Sequence, residues 1–123
     1  MPKVEKVVLR RLAVFRGAFA IEAAASVVSD EDIRSFEVIE IVANLSQKSL
    51  VATDISHDVT YHYMLDTTRA YALEKLTKSG ELQEFSRRHA EYYRGLLERI
   101  KDEWETRPTH AGAEPPVVAS KAL

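Results

Sequence analysis

Four histidines, His57, His62, His89 and His110, are the side chains best suited to move a proton or hold a metal near neutral pH. No pair has HExxH spacing, and the chain has no cysteine, so neither a zinc site nor a disulfide framework is indicated. His62 lies mid-strand in Tyr61-His62-Tyr63, where alternation turns it away from both tyrosines, and it reads as a surface histidine on a hairpin. His89 reads as a half-buried packing residue of a long helix rather than a base. No serine stands in a G-x-S-x-G turn. The glycines, Gly17, Gly80, Gly95 and Gly112, form neither G-x-x-x-x-G-K-[ST] nor G-x-G-x-x-G, so no loop is built to cradle a phosphate. No catalytic, cofactor-binding or metal-binding residue is assigned, and enzymatic activity is not expected.

What remains is the chemistry of charge and surface contact. The net charge is −2, which exerts no global pull on nucleic acid. Charge is nevertheless uneven. Residues 1–17 carry Lys3, Lys6, Arg10, Arg11 and Arg16 against Glu5, a net of +4. Residues 18–47 carry six carboxylates against Arg34, a net of −5. Lys3, Lys6, Arg10 and Arg11 are therefore candidates for contacts to a nucleic-acid backbone, the alternative being a solvated face or contacts to a neighbouring domain.

The elements that would position these residues follow from periodicity. With 123 residues, 46% hydrophobic and 29% charged, the chain can form one domain with a real core. Val4, Val7, Val8, Leu12 and Phe15 predict a first helix over about 3–14, broken by Arg16-Gly17-Ala18. An alanine-rich second helix covers about 21–28, and a third about 35–48 with Ser35 as its N-cap. Two β-rich runs follow, 50–53 and 59–65, joined by Asp54, Ser56, His57 and Asp58 with Ile55 as an interruption. A fourth helix, capped by Asp66, stops at Ser79-Gly80. A fifth carries Leu82, Phe85, His89, Tyr92, Leu96, Ile100 and Trp104 on one apolar stripe. That stripe either folds back on the first four helices or forms an interface, with Phe85, His89, Tyr92 and Leu96 as its candidate residues and a homodimer as one possible use.

Helix, helix, helix, hairpin, helix is the layout of a winged helix, in which the helix before the hairpin reads DNA. Here the polar positions of that helix are Glu37, Glu40, Asn44 and Gln47, a narrow stripe expected to be its exposed face. Asn44 and Gln47 can pair with adenine edges, but Glu37 and Glu40 would repel phosphates, and only Lys48 adds positive charge. The hairpin from Leu50 to Tyr63 contains Asp54 and Asp58 and no Lys or Arg. DNA binding is disfavoured on these grounds.

Four ordered blocks carry a resemblance: LRRLAVFRGAFAIEAAASVV, VIEIVANLSQKSLV, YHYMLDTTRAYALEKLTKSGE and RRHAEYYRGLLE. Over roughly residues 8–98 they resemble the winged-helix segment of bacterial STAND-type signalling ATPases with NB-ARC-like nucleotide-binding domains, proteins that serve as transcriptional regulators. The resemblance implies neighbours on both sides: a nucleotide-binding domain before this segment and helical repeats after it. It also implies ATP or ADP in the parent protein, though no cofactor here. Met64-Leu65-Asp66 is similar to the Met-His-Asp segment whose histidine senses the phosphate of bound ADP; Leu65 replaces that histidine and cannot donate a hydrogen bond. Met64, Asp66 and Arg69 become candidate interdomain or regulatory residues. Arg69 lies beside an apolar face and needs a carboxylate or carbonyl partner, within the fold or on a neighbour.

The expected architecture is mainly α, a winged helix-turn-helix with a two-stranded wing over residues 1–80. A long helix over 81–106 packs on it or leads to repeats, and a linker or disordered tail occupies 107–123. That linker composition points to a segment of a longer protein. No apolar run approaches the roughly 20 residues that span a bilayer, and no secretory signal is present, so the expected location is cytoplasmic, without a membrane partner. The expected function is a non-catalytic regulatory module that relays nucleotide state between its neighbours. The alternatives are a DNA-binding transcription-factor domain and a helical interaction or dimerisation module.

Overall fold

The chain alternates three short helical segments, a hairpin and two longer helices; the computed structural model describes residues 1–56 and 58–106. Helix α1 spans Lys3–Arg11 and tightens into a 3₁₀ turn over Leu12–Val14. α2 spans Ile21–Val28, α3 Ser35–Gln47, α4 Asp66–Ser79 and α5 Leu82–Thr106. Strands β1, Ala52–Ser56, and β2, Val59–Tyr63, pair antiparallel, with Thr53 opposite His62 and Ser56 opposite Val59. The expected tail over 107–123 lies outside the described residues.

The winged helix-turn-helix architecture expected from the sequence is the one observed. Its core is where the apolar stripes of α1 to α4 meet: Val8, Leu12, Phe19, Val27, Val28, Val38, Val42, Leu45, Val51 and Leu76 are almost fully buried. A third edge joins the hairpin, unannounced by periodicity. Phe19 and His62 exchange two backbone hydrogen bonds of 2.8 Å each, so the stretch between α1 and α2 docks on β2. His62 is consequently half-buried, 6.1 Å from the Phe19 ring, and not the surface histidine expected.

Several boundaries shift for identifiable reasons. Ser49 takes a left-handed φ of 64°, and the amides of Leu50 and Val51 bond back to the Leu45 carbonyl. This helix cap uses the residues expected to begin the first strand, so β1 starts at Ala52 and includes Ile55. Asp58, at φ 66°, makes the turn. Ser35 is the first helical residue, not the cap; Arg34 holds that position, and its amide donates to Glu37 Oε1 at 3.4 Å. Asp66 likewise begins α4, with Leu65 as the N-cap residue and no side-chain cap bond, so the expected Asp66 cap is absent.

α4 ends as expected, at Gly80 in the left-handed conformation with φ 82°. A Cβ there would meet nothing within 4 Å, so Gly80→Ala tests backbone strain alone. It is expected to cost about 1 kcal/mol, read as a lower urea midpoint at unchanged slope. An unaltered midpoint would show that the turn carries no strain.

Candidate functional site: the helix before the wing

The helix that would read DNA buries Val38, Ile41, Val42 and Leu45, a spacing of three, four and seven. The opposite face follows by geometry and carries Phe36, Ile39, Glu40, Ala43, Asn44 and Gln47. Phe36 is 61% exposed and Ile39 45%. The outward face is thus wider than the polar stripe expected from sequence, and its apolar residues are not wrapped into the core. Glu37 is half-buried at its margin, occupied by the Arg34 amide. Lys48, the one cation at the end of this helix, is tied to the buried carboxylate of Glu5 at 2.6 Å. The surface offers apolar contact, one carboxylate and two amides, and no free cation between Ser35 and Lys48. On the wing, Ile55 is 75% exposed, Val59 is exposed, and Asp54 and Asp58 add only negative charge.

The basic first helix divides. Lys3 and Lys6 are exposed and without a carboxylate partner among the described residues. Arg10 and Arg11, expected beside them as backbone contacts, both pair with a carboxylate of the fold, Arg11 buried and Arg10 half-buried. Arg11 is buried, donates to Glu81 at 2.8 and 3.3 Å and to the Val28 carbonyl at 3.2 Å, and pairs with Asp30 at 2.9 Å. Its guanidinium lies 4.3 Å from the Phe85 ring centroid. Arg10 Nη2 shares Glu81 at 3.3 Å. The physical reason is burial: a guanidinium inside the fold needs carboxylates, and two are supplied by the α2–α3 and α4–α5 connections.

At the head of α4, Met64 is buried in the core, and Arg69 Nε donates to the Phe15 carbonyl at 3.0 Å. Arg69 therefore has the carbonyl partner its environment demands, within the fold. Leu65, 57% exposed, and Asp66 face outward. Leu65 carries no donor for a phosphate, so the residues present do not fit a direct nucleotide contact at this position.

On α5, Phe85 is buried, and His89 packs between Phe15 at 5.1 Å and Tyr93 at 4.9 Å. Tyr92 and Tyr93 pack against the core, and burial pushes the Tyr93 hydroxyl up to about 12, with Tyr92 and Tyr61 adding to it. Of the four expected interface residues, Phe85, His89 and Tyr92 are used inside the domain; Leu96, half-buried, lies beyond the core cluster.

Titration of the interior favours neutral pH. Burial lowers the pKa of His62 against the pull of Glu22, and burial with Arg16 nearby lowers that of His89. Glu81 is held below the usual carboxylate range first by its hydrogen bond from Arg11. Partial burial opposes the charge on Asp30, but amides of Ile33 and Asp32 together with Arg11 outweigh it and lower its pKa. All four groups bind protons more readily in the unfolded chain, so their stabilisation is present at neutral pH and lost on acidification. Loss begins as pH falls below about 6.5, where unfolded histidine protonates, and continues through the depressed carboxylate values. His89→Gln is expected to flatten the upper part of that decline in thermal melts taken from pH 7.5 to 5; an unaltered slope would exclude His89 as its source.

Among the described residues, no cluster of three or more His, Asp or Glu side chains could hold a metal. No helix there is long and apolar enough to cross a membrane.

Three helices, the last of them with a solvent-facing side, and a hairpin braced by a third strand edge define a winged helix-turn-helix. The chain belongs to the winged helix-turn-helix domain family, whose model matches residues 3–77. It is 38% identical over 96 residues to proteins of Mycobacterium bovis and Mycobacterium tuberculosis whose names read "putative HTH-type transcriptional regulator". The match covers 78% of this chain and 11% of those regulators. An uncharacterized Mycobacterium tuberculosis protein is 37% identical over 78 residues, 63% of this chain and 20% of its own length. No solved structure matches significantly. The chain thus spans a small part of the curated relatives it matches.

Sequence reasoning missed Phe36, Ile39 and Ala43 as surface residues, although their spacing of three and four was a readable second apolar stripe. It also missed Asp30 and Glu81 as the partners of Arg11, for which no local signal exists.

Proposed function

We propose that this chain is a regulatory, non-catalytic winged helix-turn-helix module of a transcriptional regulator, in which the helix before the wing faces protein rather than the DNA major groove. The observation that carries this is the outward face of α3: Phe36, Ile39 and Ala43 beside Glu40, with the only nearby lysine already paired to Glu5. Phosphate neutralisation supplies most basal DNA affinity, and this face neutralises none. An apolar patch with a polar rim is instead the composition of a protein contact.

A second reading, direct DNA binding, is favoured by the family and by the names of the relatives. Asn44 and Gln47 are exposed on α3 and could read adenines, while Lys3 and Lys6 are free to meet phosphate. The relay role implied by the STAND-type resemblance, between a nucleotide-binding domain and helical repeats, draws no support from the family match or from the relatives' names.

Fluorescence anisotropy of a labelled random-sequence duplex, titrated with the chain at low and at moderate salt, separates the first two readings. No binding even at low salt is the expected result. Micromolar binding that weakens steeply with salt, and falls on Asn44→Ala with Gln47→Ala, would overturn the protein-facing assignment in favour of DNA.

A further inference from the structure

On the α1–α4 side, independent of the α3 face, a groove of about 260 Å³ is lined by Met1, Lys6, Leu9, Arg10, Tyr71, Ala72 and Lys75. Its lining holds three cations and no carboxylate. Lys6 and Lys75 make no ion pair among the described residues; Lys75 instead lies 5.4 Å from the Tyr71 ring centroid. Arg10 gives one nitrogen to Glu81, yet its Nε is buried with no hydrogen-bond partner. Elsewhere among the described residues Arg11, Lys48, Lys78, Arg87, Arg88 and Lys101 meet carboxylates. Between the cations lie apolar groups, with Leu9 and Ala72 buried and Tyr71 57% exposed.

We propose that this groove binds an acidic peptide segment of a partner protein, one that sets an aliphatic or aromatic side chain against Leu9, Ala72 and Tyr71 and its carboxylates against Lys6, Arg10 and Lys75. A concave surface of one charge sign concentrates opposite charge and speeds encounter. Carboxylates would supply acceptors for Lys6 and Lys75, which meet none among the described residues, and a second one for Arg10 beside Glu81. The apolar lining favours a peptide over a nucleic-acid backbone, whose phosphates are separated by sugars and offer no aliphatic or aromatic side chain to set against Leu9, Ala72 and Tyr71, and the volume suits one or two side chains rather than a duplex.

The probe is a short fluorescein-labelled peptide of Glu, Asp, Leu and Phe, titrated with the full chain at low salt and competed with an unlabelled duplex. A counterpart carrying Gln and Asn in place of the acids tests charge. Lys6→Glu with Lys75→Glu alters exposed positions and should leave the melting temperature near that of the parent. It is expected to weaken the acidic peptide about tenfold or more, two lost surface ion contacts replaced by two repulsions. Lys3→Glu, exposed but outside the groove, should change affinity by about twofold or less. Tyr71→Ser should weaken binding without changing its salt dependence. The proposal fails if the Gln and Asn peptide binds equally well, if Lys3→Glu weakens binding as much as the groove pair, or if the duplex displaces the peptide at lower concentration than the peptide itself.

Discussion

Arg11→Ala is expected to destabilise the domain by about 3 kcal/mol, because it leaves Asp30 without its cation, leaves Glu81 to Arg10 alone and opens a space against Phe85. The guanidinium joins three parts of the chain: α1, which carries it; the end of α2 and the following connection, through the Val28 carbonyl and Asp30; and the α4–α5 junction, through Glu81. Asp30 is itself fixed by the amides of Asp32 and Ile33, at 2.9 and 2.7 Å, so the loop before α3 is organised around the same carboxylate. Lysine should not rescue, since one ammonium cannot reproduce a fork that meets two carboxylates and a carbonyl. Urea denaturation supplies the measurement. Arg11→Ala combined with Glu81→Gln should cost less than the sum of the two single changes. Additive losses, or a single-mutant loss under about 1 kcal/mol, would show that the cluster is a solvated surface feature.

The second large effect is expected at Phe19. Its side chain is 1% exposed and stacks on Phe15 with ring centroids 4.7 Å apart, while its backbone pairs with His62. Phe19→Ala should cost about 4 kcal/mol through lost burial and the cavity left behind. The loss should be uneven in space. Phe19 is the point at which the hairpin is fastened to the helices, so hydrogen exchange at the His62 amide and along β1 and β2 should accelerate before that of α3. Uniform acceleration across all elements would mean that the wing has no independent opening and that Phe19 acts only as bulk core.

Both changes bear on function through the same geometry. The face of α3 is held at one angle to the wing by the core beneath it, and Arg10, in the lining of the α1–α4 groove, is tied to Glu81. A variant that fails in a binding experiment therefore needs its melting temperature beside it, whereas Lys6, Lys75, Phe36 and Ile39, being exposed, can be changed with the fold left intact.

Much of the architecture was legible in local pattern. The stripes Val38, Ile41, Val42, Leu45 and Phe85, His89, Tyr92 repeat at the helical period, α2 begins and ends where its alanine-rich run does, and Ser79-Gly80 stops α4. Those features depend on residues within one or two turns of each other, and a sequence records such neighbours directly. The absence of catalytic and phosphate-loop motifs was equally plain. Tertiary structure decided which charges are free. Arg10 and Arg11 looked like surface cations beside Lys3 and Lys6, but their partner Glu81 is 70 positions away along the chain from Arg11, and no periodicity connects them. It also decided that Phe36 and Ile39 lie outside the core, because a helix with apolar residues on most of its circumference can bury only the side its neighbours reach. The docking of Phe19 on His62 likewise arises from a bridge between segments 43 residues apart, whose hydrogen bonds involve backbone groups that every residue carries alike.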